Sequence, residues 1–236
     1  MSEGIDTRVT PSLHPDNVKE VDGYDEQTAP YVSLAETAFS EAYIGIGQVH
    51  SAREKARTNP TWSEAQQIIQ TQDFADNVFS RIARQMDGAM ASLDKGIAAL
   101  EAQLSAPVTS GAAQGVAVEI RAHVKALPTN KRLGFIQGAL AAGDAVTVSS
   151  VLGAPSYLSG LDAGMQGALL RQWHERNSPE VAQRLKAMKG ARDLITNRGG
   201  LVFGELEKAV GAPPDKAKAL REAKTAAEKA FVFRDA

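Results

Sequence analysis

The sequence predicts an all-α protein, and three observations predict it. Alanine makes up about one residue in six of the 236, and Ala is the strongest helix former while burying little apolar area. Apolar residues recur at spacings of three and four, and no period-two alternation persists long enough to require a sheet. Ser, Thr and Asp precede several of these stretches and Gly or Pro follows them, as helix ends require. The one strand-like piece is the VTVSSVL run at 146–152. The architecture expected is a long helical hairpin or coiled-coil segment followed by a bundle of shorter helices, with an extended acidic N-terminal arm.

The arm is residues 1–31. It holds seven acids (Glu3, Asp6, Asp16, Glu20, Asp22, Asp25, Glu26) against Arg8 and Lys19, and with Pro11, Pro15 and Pro30 it has too little apolar material for a core of its own. It reads either as a solubilising tail or as an arm that reaches a neighbour, set against a C-terminal third, 171–236, whose fourteen bases outweigh nine acids.

The hairpin is residues 32–105. Ser33 and Glu36 have capping-box spacing, opening a helix through Ala42, Ile46 and Val49 towards Arg57. Asn59-Pro60 breaks it, and Thr61 with Glu64 has the same spacing at the start of the next. From there to Pro107 no proline intervenes, and Ala75, Phe79, Ile82, Met86, Met90, Leu93, Ile97, Leu100 and Leu104 form a heptad seam with one stutter. Gly88 and Gly96 weaken this helix, which at 1.5 Å per residue spans about 65 Å. Such a length suits pairing with the preceding helix or with copies of the chain. Phe79, Ile82, Met86, Met90, Leu93 and Ile97 are the candidate interface residues.

Residues 106–115 are small and polar and read as a linker. The bundle, 116–211, starts with a helix over Val116, Ile120 and Val124 that ends at Leu127-Pro128, and a second from Thr129 carries Leu133, Ile136 and Leu140 to Gly143. Asp144 caps a short segment to Leu152, and Leu161, Met165, Leu169 and Trp173 mark another helix. Ser178-Pro179 opens a helix through Val181, Leu185, Met188 and Ile195, which Gly199-Gly200 interrupts or kinks before Leu201–Val210. Gly211, Pro213 and Pro214 set off a basic C-terminal helix within 212–236.

The chain is poor in catalytic material. It has no Cys, which removes disulfides, thiolate ligands and cysteine nucleophiles. Its four His are scattered: His174-Glu175 lacks the second His of a metalloprotease helix, and Glu119 and His123 form an ordinary surface pair one turn apart. There is no phosphate loop, and Gly45-Ile46-Gly47 has His50 where a dinucleotide fingerprint needs its third glycine. Ser149, Ser150, Ser156 and Ser159 cluster near glycines without a nearby base. No catalytic residue, cofactor or metal is assigned, and the expected class is not an enzyme. Trp62 and Trp173 read as core or interface anchors.

No apolar run approaches the roughly 18 residues of a membrane span, and MSEGIDTRVT has no signal-peptide core. The net charge of −2 argues against wholesale nucleic-acid binding. Arg184, Lys186, Lys189, Arg192 and Arg198 nevertheless share one helical region and are the candidate phosphate-contacting residues, although interspersed acids favour a solvated face.

Between Glu119 and Arg176 the sequence carries EIRAHVK, then FIQGAL followed by AAGD, then SSVLGAPSYLSGL. This segment, about a quarter of the chain, resembles a pattern of proteins encoded by bacteriophages and prophages. The resemblance implies phage origin and brings no catalytic residues with it. Together these features favour a non-enzymatic virion protein, a homo-oligomer contacting portal, capsid or tail components, with a head-to-tail connector ahead of a scaffold-like role. A DNA-binding accessory protein and a helical enzyme without a recognisable motif are the alternatives. The expected location is the virion or the host cytoplasm.

Overall fold

The computed structural model describes residues 6–231. Among these are ten α-helices and no strand: α1 (Ala29–Arg57), α2 (Glu64–Leu104), α3 (Gln114–Ala126), α4 (Thr129–Ala142), α5 (Ala145–Leu152), α6 (Ser156–Ser159), α7 (Ala163–Asn177), α8 (Pro179–Arg198), α9 (Leu201–Val210) and α10 (Pro214–Glu228). The all-α class read from the sequence is therefore correct. The chain divides into two compact units, Met1–Lys95 with Ala187–Ala236, and Gly96–Lys186. The dividing points fall inside α2 and α8, and the small-residue stretch 106–115 lies within the second unit.

In the first unit α1 and α2 run antiparallel. Glu41 of α1 pairs with Arg81 of α2, and a Cβ at Gly45 would lie 2.8 Å from Val78 Cγ1. The Gly-Ile-Gly run is thus explained by packing: Gly45 lets the α2 side chains approach the α1 backbone. Phe39, Ile46 and Val49 of α1 are fully buried, as is the face of α9 that carries Val202 and Ala209, and α1 packs along α9.

The acidic segment does not extend from the protein; its described part, residues 6–31, folds back on its own chain. Two 3₁₀ turns, Pro11–Leu13 and Pro15–Val18, bury Leu13 and Val18 against α1, and Val9 is also buried. Polar clasps finish the attachment. Tyr43 Oη donates to Asp6 O at 2.9 Å, the Thr10 amide donates to Glu205 Oε2 at 3.1 Å, and Arg198 Nη1 donates to Ser12 O at 3.1 Å. Three apolar side chains cannot make a core alone, but they complete one supplied by the helices. A neighbour-clasping role for these residues is thereby set aside; residues 1–5 lie outside the described part.

The helix starts also differ from the expected ones. α1 begins four residues before Ser33, whose hydroxyl donates to Pro30 O inside the helix. The reciprocal pair lies upstream: Thr28 N–H donates to Asp25 Oδ1 and Asp25 N–H to Thr28 Oγ1, both at 2.8 Å. At α2 the cap is Ser63, which accepts from Gln66 N–H at 3.3 Å, while Thr61 Oγ1 donates to Asn59 Oδ1. The helix then runs 41 residues through Gly88 and Gly96 without a break.

The second unit encloses the core of Val124, Ile136, Leu140, Val148, Val151 and Leu161, with Leu152 and Leu169 beside them and Trp173 packed against the group. The strand-like VTVSSVL run is the helix α5, because Asp144 Oδ1 accepts Thr147 N–H at 3.0 Å and starts a turn there. Gly143 and Gly160 both sit at positive φ and end α4 and α6. Arg132 donates to the backbone oxygens of Leu127, Lys125 and Gly160, so one guanidinium ties three segments together. The 106–115 stretch docks on this unit through His174 Nε2 at 2.8 Å from Ala106 O, and through Gly111 N–H donating to Ser149 Oγ at 3.1 Å. Of the four serines near glycines, Ser149 and Ser150 hold this stretch, Ser150 Oγ lying 3.4 Å from Ser110 Oγ, whereas Ser159 donates to Ser156 O within α6.

Candidate functional site

Of the six expected interface residues, Ile82, Met86, Leu93 and Ile97 are buried within the chain, Met90 is half-buried and Phe79 is 43% exposed. The buried line along α2 runs through Val78 and Ala89 in place of Phe79 and Met90. Phe79 instead turns outward and meets Phe203 of α9 edge to face, with ring centroids 6.5 Å apart. Phe203 is itself 59% exposed, and Ala75, Leu206 and Pro214 continue an apolar groove beneath the two rings. Large aromatic rings left in water on adjoining helices mark a surface suited to protein contact.

The candidate phosphate-contacting residues are all engaged inside the molecule. Arg192 pairs with Asp193 at 3.0 Å and reaches Asp94 at 4.0 Å. Arg198 is spent on Ser12 O. Arg184, Lys186 and Lys189 have partners as well. Along α10, Arg221 bridges Asp73 and Asp76 of α2, Lys216 pairs with Glu64, and Lys224 with Glu228. The C-terminal basic stretch therefore faces carboxylates of its own chain, which lowers its attraction for a phosphate backbone.

Two polar clusters of the first unit were not singled out from the sequence. The first surrounds Arg8, which donates to both Asp6 oxygens, to Glu54 Oε1 at 2.8 Å and to Ser51 Oγ at 3.2 Å. The Arg8 guanidinium holds the Asp6 carboxyl at about 2, well below its usual range. His50 stands close by with Nε2 buried and without a hydrogen-bond partner among the described residues. Burial, followed by the charge of Arg8, lowers its pKa by disfavouring the charged imidazolium.

The second cluster is a cleft of about 110 Å³ lined by Arg53 and Arg57 of α1, Glu64, Gln67 and Thr71 of α2, and Gly211 beyond α9. Gly211 ends α9 at φ 72°, and a Cβ there would stand 1.9 Å from Arg53 Cζ. The guanidinium fills the space that any other residue at 211 would occupy. Arg53 makes one long hydrogen bond, to Lys208 O at 3.5 Å. Burial and the like charge of Arg57 lower the Arg53 pKa. The sequence did carry a signal: Arg53 and Arg57 are one helical turn apart in SAREKAR, a like-charge spacing that disfavours a helix unless something answers it.

No family model, curated protein or solved structure matches the chain. The site's own chemistry therefore carries the functional reading. Among the described residues no three His, Asp or Glu side chains converge as metal ligands. His123, one member of the surface pair, packs its ring on Phe135 at 5.3 Å. No helix in the described residues is long and apolar enough to cross a membrane.

Proposed function

We propose that the chain is a non-enzymatic assembly subunit of a bacteriophage particle that contacts copies of itself. The observation that carries this reading is the exposed Phe79–Phe203 pair over its apolar groove, with Phe74 of α2 and Leu201 of α9 also exposed on the same two helices. Phage origin rests on the likeness of residues 119–176, a segment that lies wholly in the second unit and supplies its core. A minor position near the portal, such as a head-to-tail connector, suits a small helical subunit. The internal pairing of Arg192, Arg198 and Arg221 gives a DNA-binding role less support.

Light scattering on the full chain at tens of micromolar, beside the double variant Phe79→Ser/Phe203→Ser, tests it. A multimer that falls to a smaller species in the double variant is the expected result. A wild-type monomer across that range overturns self-association.

A further inference from the structure

We propose that the cleft between the last turn of α1 and the end of α9 binds a phosphate-type oxyanion, gripped by Arg53 and Arg57. The two arginines line one small cavity, and neither forms an ion pair among the described residues. Elsewhere the chain pairs its arginines readily, as Arg8, Arg81, Arg171, Arg192 and Arg221 show. The carboxylate that lines the cleft, Glu64, is 81% exposed and answers Lys216 at 3.3 Å. Positive charge is thus in excess where solvent is partly excluded, a setting in which charge interactions are screened least.

The missing Cβ of Gly211 leaves the space that the Arg53 guanidinium occupies, beside the end of α9. Arg57 follows one helical turn later on the same side of α1. Burial and the repulsion between the two arginines disfavour the charged form of Arg53, and the charge of a bound anion would offset them. The planar forks match a tetrahedral oxyanion bidentately, and a doubly charged phosphate answers both cations where a carboxylate answers one. The cleft has room for the phosphate group, with any ester substituent outside it.

The test is titration of the purified full chain with inorganic phosphate at constant ionic strength, read by thermal melting and by the phosphorus NMR line width. Chloride is the reference salt, and glycerol phosphate is run in parallel. Saturable broadening with a raised Tm is expected for phosphate. Arg57→Gln is expected to weaken binding by about tenfold or more, Glu64→Gln to tighten it, and Arg84→Gln, outside the cleft, to leave it unchanged. A gain from Glu64→Gln separates an anion site from general damage to the fold. Binding of both phosphates assigns the site to a monoester group, and binding of inorganic phosphate alone assigns it to the free ion; each upholds the proposal. A phosphate effect no larger than that of chloride, or an Arg57→Gln titration equal to wild type, overturns it. The readout does not depend on whether the chain self-associates.

Discussion

Individual side chains decide how the acidic segment is held, and Glu205 is the most consequential of them. It is nearly fully buried, accepts the Thr10 amide and receives Lys208 Nζ at 2.5 Å. Glu205→Gln keeps the shape but removes the charge from both bonds, and a loss of about 1–3 kcal/mol in urea unfolding is expected. Acid acts on two neighbours in turn. His50 has a folded pKa below its ordinary 6.5, so its contribution is complete above that value and is lost as the pH falls through the lowered one. Asp6, at about 2 when folded against an ordinary 3.8, contributes above pH 4 and is lost as the pH approaches 2. Stability measured against pH is expected to fall in two steps, and Asp6→Asn is expected to flatten the lower one. That lower step is modest, because Arg8 is partly open to solvent. Gly211→Ala meets both an unfavourable backbone angle and the Arg53 guanidinium, and a cost of about 1–3 kcal/mol is expected in the same assay.

The helices show which signals a sequence carries strongly. Long apolar periodicity located α2 within three residues of its true start and one of its end, because a 41-residue repeat averages out local ambiguity. The face of that helix was harder to read. Phe79 and Val78 are adjacent and both fit a spacing of three or four to Ala75 and Ile82; it is Val78 that packs against Gly45 of α1, and Phe79 points outward. Unfolding measurements are expected to separate them: Ile82→Ala in the true seam should cost about 2–5 kcal/mol, whereas Phe79→Ser should cost about 1 kcal/mol or less, chiefly the lost ring contact. Caps were read with mixed success for a related reason. Asp144 does accept the amide expected of it, but Ser33 and Thr61 have the right spacing in the wrong place. A hydroxyl three residues before a carboxylate is common in polar sequence, and only the backbone decides which one is used. The arginine cleft is legible only as an unanswered like-charge pair, since Val210 and Gly211, which complete its wall, lie far along the chain.

At the level of the whole chain, the acidic segment belongs to the fold. Removing residues 1–21 takes away Val9, Leu13 and Val18 and uncovers their partners, so the shortened chain is expected to unfold at lower urea with a changed m-value. Composition alone suggests an extended arm, because the segment has few large apolar residues beside its seven acids; the worth of Val9, Leu13 and Val18 comes from a core built elsewhere in the chain. That same connection orders events during synthesis. The second unit is one continuous stretch, finished when Lys186 has been made, and it can fold while the ribosome is still elongating. The first is split, and α1 waits for α9, about 150 residues later, which at cellular elongation rates means roughly 10–30 s. Throughout that interval the nascent chain shows Phe39, Ile46 and Val49 with one of their covering helices not yet made. Molecular chaperones are therefore expected to bind α1 on the ribosome, and a circular permutant that places α9 before α1 would release that dependence.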